Sequence, residues 1–276
     1  MAYEAHFVDA TLAQTLLLGE RDEPDQTIDH SSEGQRSHII AFVGMAFEAR
    51  IAAGPGVLVF SRDSRDALAV AAQSAARHGY RGIISFGVAG GLTPSLRPGD
   101  WVVASAILQS QGAQPTDAVW SKNLLGAIGD AHHAPIVGVD LPVADPAEKR
   151  ELHRTTGAAA ADMESHVVAE LAAAHGLAFA ALRVIVDPAE RAIPRAALAG
   201  MGTGGRADGA AVLRDLVSRP SQLPSLVRVS FDAFIACSEM VRVRRLIGPH
   251  FGLDALAPTD VIGAELAGAT PLRSPA

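Results

Sequence analysis

Short apolar runs recur along the chain and alternate with amphipathic or alanine-rich stretches. The run at 39–43 is Ile-Ile-Ala-Phe-Val, which is typical of a strand buried on both faces of a sheet. Similar runs lie at 56–60, 82–86, 101–104, 135–139 and 179–186. Between some of them lie helical patterns at 66–78 and 165–175, each followed by a glycine suited to a helix C-cap. This alternation predicts a single-domain, three-layer α/β/α fold with a mixed, largely parallel central sheet.

The two ends of the chain differ from its middle. Residues 1–37 are polar and rich in turn formers, which predicts a poorly ordered or loosely packed N-terminal arm. The α/β pattern occupies residues 38–252, and residues 253–276 form a tail. Within the domain, prolines and glycines at 188–222 interrupt the pattern around a short helix at 208–218.

A longer helix is predicted after Pro224. One stripe of this helix is apolar, which predicts that it packs on the sheet. The stripe consists of Leu226, Val227, Phe231, Phe234, Ile235 and Val241. Residues 219–250 also carry five arginines and two acids, so the alternative is a peripheral contact with an anionic membrane.

Composition and charge exclude several classes of protein. The chain has 276 residues, of which 49% are hydrophobic, and a net charge of −7. The hydrophobic content excludes wholesale disorder, and the acidic balance disfavours nucleic-acid binding. No apolar run reaches the ~20 residues that span a bilayer, and no secretory signal is evident, so a cytoplasmic location is expected. A single cysteine, Cys237, excludes an intrachain disulfide, and no metal site is expected.

The segment Gly200 to Gly205 matches the dinucleotide fingerprint G-x-G-x-x-G. That fingerprint works only between a strand and a helix, where the helix N-terminus meets a pyrophosphate. No strand pattern precedes it here. The interpretation as a surface loop is therefore favoured, which disfavours an NAD-dependent oxidoreductase.

Two other segments are candidates for ligand contacts. Residues 87–92, Gly-Val-Ala-Gly-Gly-Leu, end a buried strand, where open α/β sheets bind ligands through backbone N–H groups. The alternative is a tight turn. Asp162-Met163-Glu164-Ser165 stands at a strand-to-helix transition. Its carboxylates could cap the helix, or Glu164 could accept both hydroxyl protons of a ribose.

Asp187 and Glu48 are candidates for acid–base chemistry. Asp187 ends the most hydrophobic strand, where a dry environment would raise the pKa of its carboxyl toward that of a general acid. Its alternative role is to cap the turn at Pro188. Glu48 follows the first strand by a few residues and, taken alone, is best interpreted as a solvent-facing helix residue.

Taken in order, these motifs resemble the purine/uridine phosphorylase and methylthioadenosine/adenosylhomocysteine nucleosidase superfamily, over residues 38–190. The matching segments are Met45-x-x-Glu48, 87–92 with 97–100, Met163-Glu164 and 183–187. The resemblance implies a nucleoside phosphorylase-like fold and a homodimer. It also implies that Glu48 activates water, that Met163 and Glu164 bind the ribose, and that Asp187 protonates the purine at N7. Further substrate contacts are implied for Gly87, Val88, Ala89, Gly90, Leu141 and Val143.

Within that superfamily, the segments 162–166 and 183–188 and the tail from 206 to 248 resemble the hopanoid-associated phosphorylase branch. This branch implies release of adenine from adenosylhopane to give ribosylhopane. Phosphorolysis of the same substrate, a methylthioadenosine-type nucleosidase and a non-catalytic nucleotide-binding protein remain alternatives.

The nucleophile is the open question that the motifs raise. The resemblance implies that Ser85 stands where hexameric purine phosphorylases carry a phosphate-binding arginine. It also implies that Val88 stands where many nucleosidases and phosphorylases carry serine or threonine, and that Val186 replaces a serine that would orient Asp187. Three other arginines could bind phosphate, namely Arg50, Arg62 and Arg65. Because Glu48 would repel phosphate, hydrolysis is predicted, with no cofactor and with phosphate as co-substrate only in the phosphorolytic alternative.

Overall fold

The computed structural model describes residues 39–78, 80–110, 112–200 and 208–253. The predicted N-terminal arm, nearly all of the tail and most of the glycine-rich segment 200–205 lie outside these ranges. The strands are β1 (Ile39–Val43), β2 (Val57–Ser61), β3 (Gly82–Gly91), β4 (Trp101–Gln109), β5 (Gly112–Pro115), β6 (Ala131–Gly138), β7 (Ala160–Asp162) and β8 (Ala178–Asp187). The helices are α1 (Ala46–Ala52), α2 (Arg65–His78), α3 (Ala118–Ile128), α4 (Pro146–Thr156), α5 (Ser165–His175), α6 (Arg195–Ala199), α7 (Gly209–Ser218) and α8 (Leu223–Leu246).

The strands form one mixed sheet, as the sequence predicted. Strands β2, β1, β3 and β8 lie side by side and parallel, so their carboxyl ends share one edge. Strand β8 also pairs antiparallel with β4, β4 pairs parallel with β6, and the short β7 joins β6 to β3. The strands β3, β8, β4, β6 and β7 therefore close into a ring.

Helices cover both faces of the parallel part of the sheet. In β1 the side chains alternate between two hydrophobic clusters, with Ile39 facing one and Ile40 facing the other. The first cluster is completed by α1, α3 and α8, and the second by α2 and α5. The continuous apolar runs thus reflect burial on both faces, and the predicted three-layer α/β arrangement is confirmed.

The contact surface of α8 differs from the prediction. The helix packs on the sheet, but its buried side chains are Asp232, Ala236, Met240 and Val243. Val227, Phe231 and Phe234 of the predicted stripe are instead exposed. The helix is thus rotated about its axis relative to the prediction. The ion pair of Asp232 with Arg191 at 2.5 Å explains this rotation, because it brings the Asp232 face of α8 toward the end of β8.

Candidate active site

Glu48 lies in the first turn of α1 and is 1% exposed. Its Oε2 atom accepts hydrogen bonds from the backbone N–H groups of Gly44 and Met45, both at 2.8 Å. Its Oε1 atom accepts one from the N–H of Val88, also at 2.8 Å. The interpretation of Glu48 as a solvent-facing helix residue is therefore wrong. The backbone of two elements holds its carboxylate in one orientation.

Burial gives Glu48 an acid–base character suited to neutral pH. Desolvation raises the pKa of its carboxyl from 4.5 to about 7, although Arg183 and the N–H donors favour the charged form. Both protonation states are therefore populated near neutrality. A carboxyl in this state can take a proton from a bound molecule and return it to solvent.

The glycine-rich end of β3 makes room for the carboxylates. A Cβ atom on Gly87 would lie 2.6 Å from Oε1 of Glu48 and 2.5 Å from Nη1 of Arg183. A Cβ atom on Gly90 would lie 3.2 Å from Oδ2 of Asp187. The N–H of Val88 already binds Glu48, and Ala89 packs in the hydrophobic core. The segment 87–90 thus places two carboxyl groups along one strand.

Glu164 follows β7 and lies close to the same group of side chains. Its Oε1 atom accepts a hydrogen bond from Arg62 at 2.5 Å, and its Oε2 atom lies 3.7 Å from Arg183. Gly44 faces this carboxylate, since a Cβ atom there would lie 2.9 Å from it. The adjacent Met163 is half-buried, and its carbonyl accepts a hydrogen bond from Arg62 at 3.4 Å. Glu48 and Glu164 are thus neighbours across Gly44.

The fully buried Arg183 connects the carboxylates. Its Nε atom lies 2.5 Å from Asp162, and its Nη2 atom donates to the hydroxyls of Ser85 and Ser165 at 2.6 and 3.1 Å. Burial alone would lower the pKa of its guanidinium, but attraction to Asp162, Glu164 and Glu48 raises it. Arg183 therefore remains a fixed positive charge beneath the carboxylates.

Asp187 stands at the end of β8, as predicted, and has a charged partner. Its Oδ2 atom accepts a hydrogen bond from the ammonium of Lys149 in α4. Desolvation raises the pKa of the Asp187 carboxyl, and the opposing attraction of Lys149 does not cancel this effect. The predicted direction of the pKa shift at Asp187 is therefore confirmed. The alternative was that Asp187 caps the turn at Pro188, but among the described residues no backbone N–H of that turn donates a hydrogen bond to its side chain.

The segment predicted to contact a base lies beside the loop that follows Asp187. The carbonyl of Ala144 accepts a hydrogen bond from Ile193 at 3.0 Å, and Val143 packs near Leu92 and Ala161. The Leu141 side chain is 76% exposed. The structure therefore brings Val143 toward the site and leaves the side chain of Leu141 in solvent.

Two cations of the site, Arg183 and Lys149, were not identified from the sequence. Arg62 was one of three candidate phosphate ligands, and Arg50 and Arg65 prove to be exposed. Arg183 and Lys149 lie within β8 and α4, where each alone resembles an ordinary sheet or helix residue. One indication was available: an arginine inside the most hydrophobic strand has to be paired when it is buried. The described residues contain no group of three or more side chains that could hold a metal ion.

The fold and these residues define a class of protein. Buried carboxyl groups with raised pKa values stand at the carboxyl edge of parallel strands, where α/β enzymes bind small molecules. The phosphorylase superfamily model matches residues 57–217, which is more than half of the chain. The chain belongs to the phosphorylase superfamily, and the predicted class of enzyme, a nucleosidase or nucleoside phosphorylase, is confirmed at that level.

Solved structures share this fold. Futalosine hydrolase from Helicobacter pylori is similar with a TM-score of 0.54 and 16% identity, covering 80% of this chain and 99% of that one. The 5′-methylthioadenosine/S-adenosylhomocysteine nucleosidase from Helicobacter pylori, solved with butyl-thio-DADMe-Immucillin-A, has a TM-score of 0.52 and 14% identity. It covers 75% of this chain and 97% of that one. No curated protein matches the sequence.

Proposed function

We propose that the protein cleaves the N-glycosidic bond of a 5′-substituted adenosine by hydrolysis. The observation that carries this proposal is the Glu48 carboxyl, which is buried, fixed by three N–H donors and has a pKa of about 7. A carboxyl of this kind is suited to take a proton from an attacking water molecule at neutral pH. The similar structures of a futalosine hydrolase and a 5′-methylthioadenosine/S-adenosylhomocysteine nucleosidase support the proposal at the level of the fold.

The proposed reaction assigns one step to each carboxyl. Asp187, in its protonated form, gives its proton to N7 of adenine, and the electron pair of the C1′–N9 bond leaves with the base. The ribose becomes oxocarbenium-like, and a water oxygen forms a bond to C1′ while its proton passes to Glu48. The products are adenine and the free sugar. Proton exchange with solvent restores both carboxyls, and each acid–base step contributes roughly 10²–10⁴-fold.

Glu164 and Met163 are proposed to bind the sugar. Glu164 carries two acceptor oxygens on a fixed carboxylate, which suits the two hydroxyls of a ribose. In this structure Arg62 occupies one of them. The ribose would therefore compete with Arg62 for Oε1, and the guanidinium would turn toward the space next to the sugar. Substrate contacts of Gly87, Val88, Ala89, Gly90, Leu141 and Val143 are proposed on the resemblance.

Phosphorolysis is the second candidate, and Arg62 favours it. A phosphorylase needs a cation directed at the incoming phosphate. Arg62 is one-third exposed and bound to the ribose candidate Glu164, so it could reach an anion there. Against this, Glu48 lies close to the same place and repels phosphate when ionised. The buried Arg183 is already committed to Asp162 and two hydroxyls.

We further propose that the 5′ substituent is a lipid, with adenosylhopane as the substrate and ribosylhopane as the product. The resemblance to the hopanoid-associated branch supports this. Exposed apolar side chains of α7 and α8 support it as well, and they are called the α7–α8 surface below: Leu213, Val217, Leu223, Val227, Phe231 and Phe234. Phe231 adjoins Asp232, whose carboxylate binds Arg191 in the loop after Asp187, so this surface begins near the site.

This α7–α8 surface is proposed to rest on an anionic membrane at the cytoplasmic face. Exposed Arg228 flanks the apolar side chains, and no described helix is long and apolar enough to cross a bilayer. Sedimentation with phosphatidylglycerol vesicles should carry the protein down, and Phe231→Asp should abolish this. If the surface is instead the interface of the expected homodimer, the wild type will not sediment with the vesicles, and the same substitution will halve the mass measured by ultracentrifugation.

The test of the proposed function is adenine release measured by chromatography. Adenosylhopane and methylthioadenosine are each incubated with the protein, with and without phosphate. Release from adenosylhopane without phosphate is the expected result. Strict phosphate dependence would establish the phosphorylase, release from methylthioadenosine alone would establish a soluble-nucleoside enzyme, and no release from either would overturn the proposal.

A further inference from the structure

Lys149 is a fully buried lysine in a protein that has only two lysines. It lies in α4, and its ammonium makes three hydrogen bonds. It donates to Oδ2 of Asp187, to the carbonyl of Pro188 at 3.0 Å and to the carbonyl of Arg191 at 3.2 Å. An ammonium has three protons, so each of them is used.

These bonds join the Asp187 carboxylate to the turn that follows it. The backbone from 187 to 191 curves around the ammonium, and the side chain of Arg191 continues to Asp232 of α8. Among the described residues, Oδ1 of Asp187 receives no hydrogen bond, so Lys149 fixes one oxygen and leaves the other available. The valine at 186 provides no hydrogen bond of its own, and Lys149 supplies the orientation from another element.

We propose that Lys149 is a positioning residue for Asp187, holding Oδ2 so that Oδ1 presents its proton to the leaving base. This inference rests on the proposed function for its catalytic meaning. The charged groups that face Asp187 are Lys149 from α4, Arg191 from the turn and Asp232 from α8. Lys149 is the only one of them that binds the carboxylate directly among the described residues.

Because the protein has only two lysines, the ion pair of Lys149 with Asp187 can be tested directly by NMR. Labelling with ¹⁵N at lysine Nζ gives two signals, and Lys122→Met, which removes the exposed lysine, assigns them. In Asp187→Asn the buried ammonium loses the carboxylate to which it donates a hydrogen bond, so the ¹⁵N chemical shift of Lys149 should change. The Lys122 signal should not move. This measurement needs no substrate, and an unchanged Lys149 signal would overturn the pairing.

Kinetics test the positioning role. Without the lysine charge the pKa of Asp187 rises, so in Lys149→Met one limb of the pH profile of kcat/KM should move to higher pH by about one unit or more. Adenine release should fall about tenfold or more. Hydrolysis of 4-nitrophenyl riboside, whose leaving group needs no proton, should fall far less. A structural role alone would lower both rates equally and leave the profile in place, which would overturn the proposal.

Two further variants separate the outcomes. Lys149→Arg keeps the positive charge, so it should keep the wild-type pH profile of kcat/KM. If Lys149→Met does not fold, Lys149→Arg takes its place in the kinetic test. Lys122→Met is the matched control and should have wild-type kinetics. If the wild-type protein releases no adenine while the Lys149 signal still responds to Asp187→Asn, the proposed function fails and the pairing stands.

Discussion

Gly87 is the residue on which the geometry of the site depends most directly. It lies where a Cβ atom would approach both Glu48 and Arg183 within 2.6 Å. Real Cβ atoms do not approach other atoms so closely. Both neighbours are buried, and Glu48 is held by three backbone donors, so neither can move aside at low cost.

We therefore expect Gly87→Ala to reduce adenine release by about 100-fold or more, since a misplaced catalytic group costs that much. Gly91→Ala is the matched control in the same strand, because a Cβ atom there would make ordinary contacts at 3.4 Å. It should retain activity within a few-fold of the wild type. Steady-state kinetics of both variants test this, and an active Gly87→Ala enzyme would contradict the placement of Glu48.

At the residue scale, the sequence was informative where a motif occupied its usual place after a strand. Glu48, Glu164 and Asp187 could be proposed because each follows an apolar run closely. Their partners could not be predicted, because Lys149 reaches Asp187 from 38 positions away and Arg62 reaches Glu164 from 102. Such distant contacts follow from the packing of the elements, which local patterns do not encode.

At the element scale, Arg183 joins β8 to β3, to β7 and to α5 through Ser85, Asp162 and Ser165. Removing a buried cation leaves its acidic partner unpaired away from water, which costs about 3–5 kcal/mol. We expect Arg183→Met to lose about that much free energy of unfolding, measured with urea. The double variant Arg183→Met/Asp162→Asn should recover part of it, because the amide carries no charge.

Arg97→Met is the control for this prediction. Arg97 is exposed and its nitrogen lies 3.7 Å from Glu190, so its ion pair is weak. Its removal should change the free energy of unfolding by less than about 0.5 kcal/mol. Equal losses in the two variants would show that Arg183 does not connect the elements as the structure indicates.

Elements were predictable in proportion to their burial. Strands β1 and β8 and helix α5 were located within one residue, because continuous apolar runs and a terminal glycine fix their limits. A helix at Glu48 was considered but given no limits and the wrong exposure, and the buried face of α8 was predicted incorrectly. The apolar stripe of α8 predicted that the Phe231 face is buried, whereas the ion pair of Asp232 with Arg191 buries the Asp232 face instead.

At the scale of the whole molecule, the buried carboxyls link the site to global stability. The pKa of Glu48 is about 7 in the folded protein against 4.5 for an ordinary glutamate, and the pKa of Asp187 is raised as well. Between pH 4.5 and about 7, the Glu48 carboxyl therefore holds a proton in the folded state that it has released in the unfolded state. The contribution of these two carboxyls to the free energy of unfolding should therefore be greatest at low pH, and it should fall as the pH rises through 7.

Glu48→Gln isolates the contribution of one group. The wild type should lose, from this group alone, about 3 kcal/mol between pH 4.5 and 8, because each unit of pKa shift is worth 1.36 kcal/mol. The variant lacks that dependence, so its urea unfolding curves at pH 5, 6, 7 and 8 should draw nearer to those of the wild type, or pass them, as the pH rises. Its adenine release should be nearly abolished at every pH. Curves that stay parallel would mean that Glu48 titrates normally, which would contradict its proposed role as the general base.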